Sequence, residues 1–493
     1  MSARKPLGSR QAAPLGFAAF PPMLFRGRRF AVVGLGRNGL PAARALLAMG
    51  AEVAAWDDKP ETRAAAGLPV LDLAGSAAPQ QACGLAGFDA LVLSPGIPHR
   101  LPAPHPAALA AQRAGIPILS DAELLFQAVR ATGSKARFVG ITGTNGKSTT
   151  TALVASILSA AGVESAAGGN LGVSALALPA LADAGVYVLE MSSYMLERLA
   201  TLRFDAAALL NLSPDHLDRH GDMAGYVTAK RRVFDRQGTD GVAVVGTDDD
   251  DTAALARSLH SARVVTISGQ HPADVWCDDG VLRDRDGPIL PMAEAAALPG
   301  AHNAQNAAAA AALALALGVP RGAVAAGIAG FPGLPHRQQR VAVVDGVAWV
   351  NDSKATNADA AARALACYGR LVWIAGGIAK AGGIEPLRAL LPRVAHAVLI
   401  GRDAPLFAGT LAAAGVPFTV AGTLDAAVPA ARDAAARTGS PVVLLSPACA
   451  SFDQFASFEA RGDRFRDLVL APAPAPASTP PAFTAPAFTI RSA

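Results

Sequence analysis

At 493 residues the chain is long enough for about three domains and a sizeable buried core. Its formal charge of +4, 17% charged and 5% aromatic residues, and scattered basic side chains exclude a phosphate-tracking nucleic-acid stripe with stacking rings, and favour small anionic ligands. Cys83, Cys277, Cys367 and Cys449 lie far apart with no CxxC or Cys/His spacing, which excludes a disulfide framework or zinc site and reads as reduced, packed thiols of a cytoplasmic protein.

Residues 1–28 carry Arg and Lys without an acid, but prolines interrupt them and no apolar h-region or cleavage pattern follows. They are expected to be a disordered extension rather than a transit peptide. From 29 to 120, short β-like runs ("RFAVVGLG", "AEVAAWDD", "FDALVLSPGI") alternate with helical ones such as "GLPAARALLAMG", which implies a parallel sheet with crossover helices. The segment "GLGRNG", with Gly34, Gly36, Gly39 and then Asp57, is by itself a dinucleotide fingerprint.

A second α/β region, expected over 121–333, opens with "DAELLFQAVRATG" and continues through "FVGITGTNGKSTTTALVASIL". The Ala-rich run from Ala307 stops at Pro320 before the ~18 residues of a membrane span. It is read as a buried helix, and no membrane insertion is expected. The cluster "GFPGLPHR" punctuates the chain as a linker would. In the third region, 334–470, "GVAWVNDSKATN", "RLVWIAGG", "VAHAVLIG" and "SPVVLLSPACAS" each end an apolar run in a polar loop, where ligands of such sheets bind. The Pro/Ala stretch 471–493 is expected to be an extended tail.

The run at 138–158 takes a strand through a Gly-rich turn into a helix, and so aims backbone N–H groups and a positive dipole end at an anion. Ile141 stands where the Walker pattern has its first glycine, leaving Gly143, Gly146, Lys147 and Ser148 to carry the signal. Lys147 would reach the β/γ-phosphates and Ser148 would ligate Mg²⁺. A further oxygen ligand should close a neighbouring strand, and Glu190 at the end of "VYVLE" is the candidate; the alternative is that it caps whatever begins at Ser192.

Among 43 Lys plus Arg only seven are lysine: Lys5, Lys59, Lys135, Lys147, Lys230, Lys354 and Lys380. Where arginine serves for plain charge, the remaining lysines mark positions at which an amine does something a guanidinium cannot. Lys354 and Lys380 follow predicted strands and are candidate anion binders. Lys230 in "GYVTAKRRVF" has two arginines beside it, so charge alone does not account for it. A lysine amine can add carbon dioxide to become an anionic carbamate, and "NLSPDHLDRH" supplies Asp215, His216 and Asp218 nearby, so a second metal on His216 and a modified Lys230 is a candidate that spacing alone does not single out.

With these residues assembled, the chain resembles the Mur ligase family over about residues 29 to 470. The motifs are "GITGTNGKSTT", "GNLG", "LEMSSYMLE", "SPDHLDRH", "YVTAKRR", "AHNAQNAAAA", "GLPHR", "NDSKATN" and "LLSPACASFDQFASFEARGDRF". The resemblance implies an α/β protein of three domains: an N-terminal Rossmann-like uridine-nucleotide domain, a central P-loop-type ATPase domain and a C-terminal Rossmann-like domain. It implies ATP-dependent ligation of D-glutamate to UDP-N-acetylmuramoyl-L-alanine by a monomer that binds no nucleic acid.

Position by position, the resemblance implies ATP on Gly143, Thr144, Asn145, Gly146, Lys147, Ser148 and Thr149, with Asn303, Asn306, His336 and Arg337 near adenine and ribose. It implies one Mg²⁺ between Ser148 and Glu190 and a second between His216 and carbamylated Lys230, so that Lys147, His216 and Lys230 are the catalytic set. The uridine substrate would meet Leu35, Arg37, Asn38, Asp57, Asp58, Ser94, Gly96 and Asn170. Glutamate would meet Lys354, Thr356, Lys380, Ser451 and Phe458, although Phe452, Phe455 and Phe458 recur every three residues and fit a core stripe equally. An acyl phosphate would form on the substrate carboxylate, and the third domain is expected to close over it, hinged near Ser120 and Gly333. A dehydrogenase, a ligase for another amine and a non-catalytic nucleotide-binding regulator are the rival readings; the pairing of Glu190 with His216 and Lys230 weighs against the last.

Overall fold

The computed structural model describes residues 19–71, 85–170, 172–260, 263–380 and 382–471. Cys83, most of the N-terminal extension and nearly all of the Pro/Ala tail lie outside them. Residues 19–28 depart from the expected extension. Phe25 is buried, its N–H donates to Met49 O at 2.8 Å, and its ring packs 5.8 Å from Phe30. An aromatic anchor beside the first strand outweighs the polar composition around it.

The chain folds as two compact units, Met1–Leu334 and Pro335–Ala493. The first contains two sheets. Strands β1 (Arg29–Val33), β2 (Glu52–Trp56), β3 (Ala90–Leu93) and β4 (Ile118–Leu119) form a parallel sheet of order β2-β1-β3-β4. The larger sheet uses β5 (Arg137–Thr142), β6 (Ser165–Gly169), β7 (Val186–Glu190), β8 (Ala206–Leu209), β9 (Val242–Gly246), β10 (Arg263–Ser268), β11 (Val275–Asp278), β12 (Val281–Asp284) and β13 (Gly287–Pro291). Its order is β13-β12-β11-β10-β9-β8-β5-β7-β6, with β12 and β13 antiparallel at one edge. The strands β5, β7, β8 and β9 are apolar throughout their central positions because helices cover both faces.

One apolar core runs from Phe30 and Val32 of the first sheet, through Leu125 and Val129 of the helix Asp121–Ala131, to Phe138, Tyr187 and Leu209 of the second. On the other face, the helices Lys147–Ala160, Ala301–Ala316 and Arg321–Ala329 bury Leu153, Ile157, Ala307–Ala312 and Ile328 against β5, β7 and β8. The Ala-rich helix is thus interior to this unit, and among the described residues no helix is long and apolar enough to cross a membrane.

The second unit has the sheet order β14-β15-β20-β16-β18-β19, built from β14 (Gln339–Val344), β15 (Val347–Asn351), β16 (Leu371–Gly376), β18 (Val394–Ile400), β19 (Phe418–Gly422) and β20 (Val442–Leu445). Only β14 is antiparallel. A two-stranded pair, β17 (Ile378–Ala379) with β21 (Cys449–Ala450), stands beyond the ends of β16 and β20.

Candidate active site

The strand β5 delivers Gly143–Gly146 to the N-terminus of the helix Lys147–Ala160. Gly146 has φ +84, and a Cβ there would overlap Asn306 Oδ1, so the turn needs glycine on both counts. Ile141, in the place of the missing Walker glycine, is a buried strand residue in register with Glu190. The Lys147 ammonium donates to Gly143 O at 2.9 Å and Thr144 O at 2.8 Å, which folds it over the loop.

Residues far away in sequence brace this loop. Asn145 N donates to Asn211 Oδ1 at 2.9 Å, and Asn211 Nδ2 donates to Asn145 O at 3.2 Å. Thr144 Oγ1 accepts from Ser213 N at 3.0 Å and lies 3.1 Å from Tyr226 Oη. Thr150 Oγ1 donates to Asn306 Oδ1 at 3.3 Å, and Asn306 Nδ2 donates to Asn303 Oδ1 at 3.1 Å. Asn306 is therefore buried beneath the loop and braces it. Asn211 and Tyr226 open the quoted motifs "NLSPDHLDRH" and "YVTAKRR", but sequence reasoning gave them no role.

Glu190 closes β7 and is 2% exposed. Its Oε1 accepts from Asn170 Nδ2 at 2.8 Å, and Oε2 is buried with no hydrogen-bond partner among the described residues. A buried carboxylate oxygen without a donor is costly unless something cationic meets it, so Glu190 fits a divalent ion. The capping alternative does not hold. The short helix Ser193–Leu196 is capped by Ser192, whose Oγ accepts from Met195 N at 3.3 Å.

Lys230, also 2% exposed, donates to Gly143 O at 2.8 Å, approaches Thr142 Oγ1 at 3.4 Å and lies 4.8 Å above the Tyr226 ring. Burial, with the Lys147 ammonium second, drives its amine well below the usual lysine range. His216 sits at φ +52, a left-handed conformation that a β-carbon strains. Burial lowers its pKa, and the Lys230 and Lys147 ammoniums add to this against Asp215, which favours a neutral ring with a lone pair to offer. Glu190, in register with Ile141, and His216 and Lys230, within electrostatic reach of Lys147, thus lie near one phosphate loop.

In the smaller sheet, Asp57 Oδ2 accepts from Leu35 N at 2.7 Å, and Ser94 Oγ donates to Gly34 O at 2.6 Å. Asp57 at the end of β2 therefore shapes the glycine turn directly. Asp58 Oδ1 accepts from Trp56 Nε1 at 3.0 Å. Asn38 Nδ2 donates to Gly169 O at 3.3 Å, next to Asn170, so the glycine turn and the β6–β7 ends are in contact.

Within the second unit, Lys354 Nζ lies 3.7 Å from the Phe458 ring centroid, and Ser353 Oγ donates to Phe458 O at 2.8 Å. Arg461 joins this loop to the next, donating to Ser353 O at 2.9 Å and Cys449 O at 3.0 Å. Lys380 and Ser451 follow β17 and β21, so that pair carries both, while Thr356 N donates to Lys354 O at 2.8 Å. His336 is buried against Gly462 and Phe458, with Nδ1 3.2 Å from Asn351 Nδ2, and Arg337 follows it. The core-stripe reading of the three phenylalanines fails. Phe452 is 72% exposed, and only at Phe458 does a helix, Phe458–Leu470, begin.

Comparison with known proteins places the chain in one enzyme class. The Mur ligase middle domain matches residues 141–314, and the Mur ligase MurD-like N-terminal domain matches 28–120. The chain belongs to the Mur ligase family, the ATP-dependent ligases of peptidoglycan precursor synthesis, and is an enzyme. More narrowly, it is 50% identical to the UDP-N-acetylmuramoylalanine–D-glutamate ligase of Paramagnetospirillum magneticum, covering 91% of this chain and 97% of that one. It is 47% identical to the ligase of the same name from Caulobacter vibrioides, covering 90% and 96%. Two solved structures share the fold. They are the UDP-N-acetylmuramate-alanine ligase MurC of Thermotoga maritima (TM-score 0.55, 18% identity, 89% and 98% covered) and MurF of Acinetobacter baumannii (TM-score 0.55, 21% identity, 71% and 81% covered).

Proposed function

We propose that this chain joins D-glutamate to UDP-N-acetylmuramoyl-L-alanine, converting ATP to ADP and phosphate, as a cytoplasmic monomer. The convergence of buried Glu190, His216 and buried Lys230 on the phosphate loop carries the ligase chemistry. The names of the Paramagnetospirillum and Caulobacter relatives, together with "NDSKATN" and "SPACASFDQF", support D-glutamate as the amine. We assign 29–120 to the uridine substrate, 121–333 to ATP and 334–470 to glutamate.

In this reading the N–H groups of Gly143 to Thr149 and the Lys147 ammonium hold the ATP phosphates, and Asn303, Asn306, His336 and Arg337 serve the nucleoside. Ser148 and Glu190 would hold one Mg²⁺, and His216 with the Lys230 carbamate a second, both supplying charge screening between carboxylate and phosphates. The depressed Lys230 pKa suits carbamylation, because only a neutral amine adds carbon dioxide, releasing a proton as the N–C bond forms. Leu35, Arg37, Asn38, Asp57, Asp58, Ser94, Gly96 and Asn170 orient the uridine substrate. Its carboxylate oxygen attacks the γ-phosphorus, ADP leaves, and an acyl phosphate remains. Lys354, Thr356, Lys380, Ser451 and Phe458 position glutamate, whose amine attacks the acyl carbon and expels phosphate.

Hydroxylamine trapping tests the intermediate. With ATP, Mg²⁺ and UDP-N-acetylmuramoyl-L-alanine but no amino acid, the expected product is the substrate hydroxamate, seen by mass spectrometry and absent without ATP. Nucleotide turnover with no hydroxamate would count against an acyl phosphate.

A further inference from the structure

The loop Leu93–Ile97, which contains the "SPG" segment assigned to the uridine substrate, is held by two arginines of the larger sheet's domain. Arg198 is 2% exposed and donates through one guanidinium nitrogen to Leu93 O at 2.7 Å and Ser94 O at 3.0 Å, and through the other to Ile97 O at 2.6 Å. Arg219 donates to Gly96 O at 2.9 Å. Each follows a candidate metal ligand closely in the chain. Arg198 comes eight residues after Glu190, and Arg219 three after His216.

The link from Arg219 to His216 is also physical. The Arg219 guanidinium carbon lies 4.3 Å from the centre of the Tyr194 ring, and the other rings about Tyr194 are His216 at 5.3 Å and His220 at 5.5 Å. His220 in turn lies 2.9 Å from Ser193 Oγ and 3.7 Å from Glu197, on the segment that leads from Glu190 to Arg198. Tyr194 is thus a plate with the uridine-side loop tethered through Arg219 and the strained His216 turn leaning on it. Ser94, the residue Arg198 grips, holds the glycine turn through Gly34 O.

Two guanidinium groups close enough to depress Arg198 toward about 10, behind burial as the main cause, are a costly way merely to pack two domains. Fixing three carbonyls of a ligand loop is work that a planar fork does and an apolar side chain cannot.

We infer that Arg219, acting with Arg198 and through Tyr194, is a positioning residue that couples occupancy of the uridine pocket to the alignment of His216 at the phosphate loop. Movement of the Ser94–Gly96 loop on substrate binding is passed to the His216 turn, so the uridine substrate and the metal nucleotide bind cooperatively. This rests on the substrate assignment made under Proposed function.

Titration calorimetry on the full chain tests it. The affinity for UDP-N-acetylmuramoyl-L-alanine is measured with and without Mg²⁺ and the β,γ-imido analogue of ATP. In the wild type the analogue changes that affinity about fivefold or more. In Arg219→Ala the ratio falls to near one with the melting temperature and the affinity for the Mg²⁺ nucleotide alone unchanged, and Arg219→Lys, whose ammonium can still donate to Gly96 O, restores part of it. A wild-type ratio of one, a ratio undiminished in Arg219→Ala, or a ratio lost only along with melting temperature and both single-ligand affinities would overturn the coupling. No binding of the uridine compound to the wild type would overturn the substrate assignment itself.

Discussion

A primary amine buried against Gly143 O and facing the Lys147 ammonium loses more by being charged than by being neutral, and Lys230 is in that position. Conversion to a carbamate would replace the repulsion with an anion that a metal can neutralise. Lys230→Ala is expected to lower turnover by roughly 100-fold or more, the scale of a lost electrostatic group. Added formate or acetate should restore part of it, whereas Lys230→Arg should show no such rescue; phosphate release is the readout. Asn170 holds the other oxygen of Glu190, so Asn170→Ala should weaken Mg²⁺ by about 10–100-fold, checked by titrating Mg²⁺ against rate. Asp352 makes a different prediction. It is buried, accepts from Ser446 Oγ at 2.8 Å, and is pushed up to about 7 by that burial, against an unfolded value near ~3.9. Between these values the native state keeps a proton the unfolded state has lost. Stability of the second unit should therefore fall as pH rises from 4 to 7, by up to about 1.4 kcal/mol per unit, and level off above. Asp352→Asn should flatten that slope in denaturant titrations.

Among elements, the phosphate loop was legible because its signal is local: a strand, two glycines, a lysine and a serine within one turn. Glu190 was legible as the polar end of an apolar strand, and its register with Ile141 puts it beside that loop. The bracing of the loop was not legible. Asn211, Tyr226 and Asn306 come from 66, 82 and 156 residues away, and only the parallel order of β5, β8 and their helices brings them in. Arg198 was missed for a similar reason: nothing in "LERLATLRF" sets it apart from the other charges, and only the docking of the smaller sheet buries it. Glycine placement gives a direct test at this scale. A Cβ at Gly146 would overlap Asn306 Oδ1 at a left-handed φ, and one at Gly327 would overlap Ile157 Cα where two helices touch. Gly146→Ala should weaken nucleotide binding and cost about 1–3 kcal/mol. Gly327→Leu should lower thermal stability by at least as much without a specific effect on nucleotide affinity.

For the whole molecule, alternating strands and helices foretold the α/β class, while composition misjudged residues 19–28, where one buried phenylalanine decides the outcome. The first unit presents the phosphate loop, and the second presents the Lys354, Lys380 and Ser451 loops. In the proposed reading the choice of amine belongs to the second unit. The most direct measurement is phosphate release by the purified chain with ATP, Mg²⁺ and UDP-N-acetylmuramoyl-L-alanine, comparing D-glutamate with L-glutamate and other amino acids, and weighing the product by mass spectrometry. Release with D-glutamate alone, with a product heavier by one glutamyl residue, is the predicted result; equal release with another amino acid, or none with D-glutamate, would contradict it.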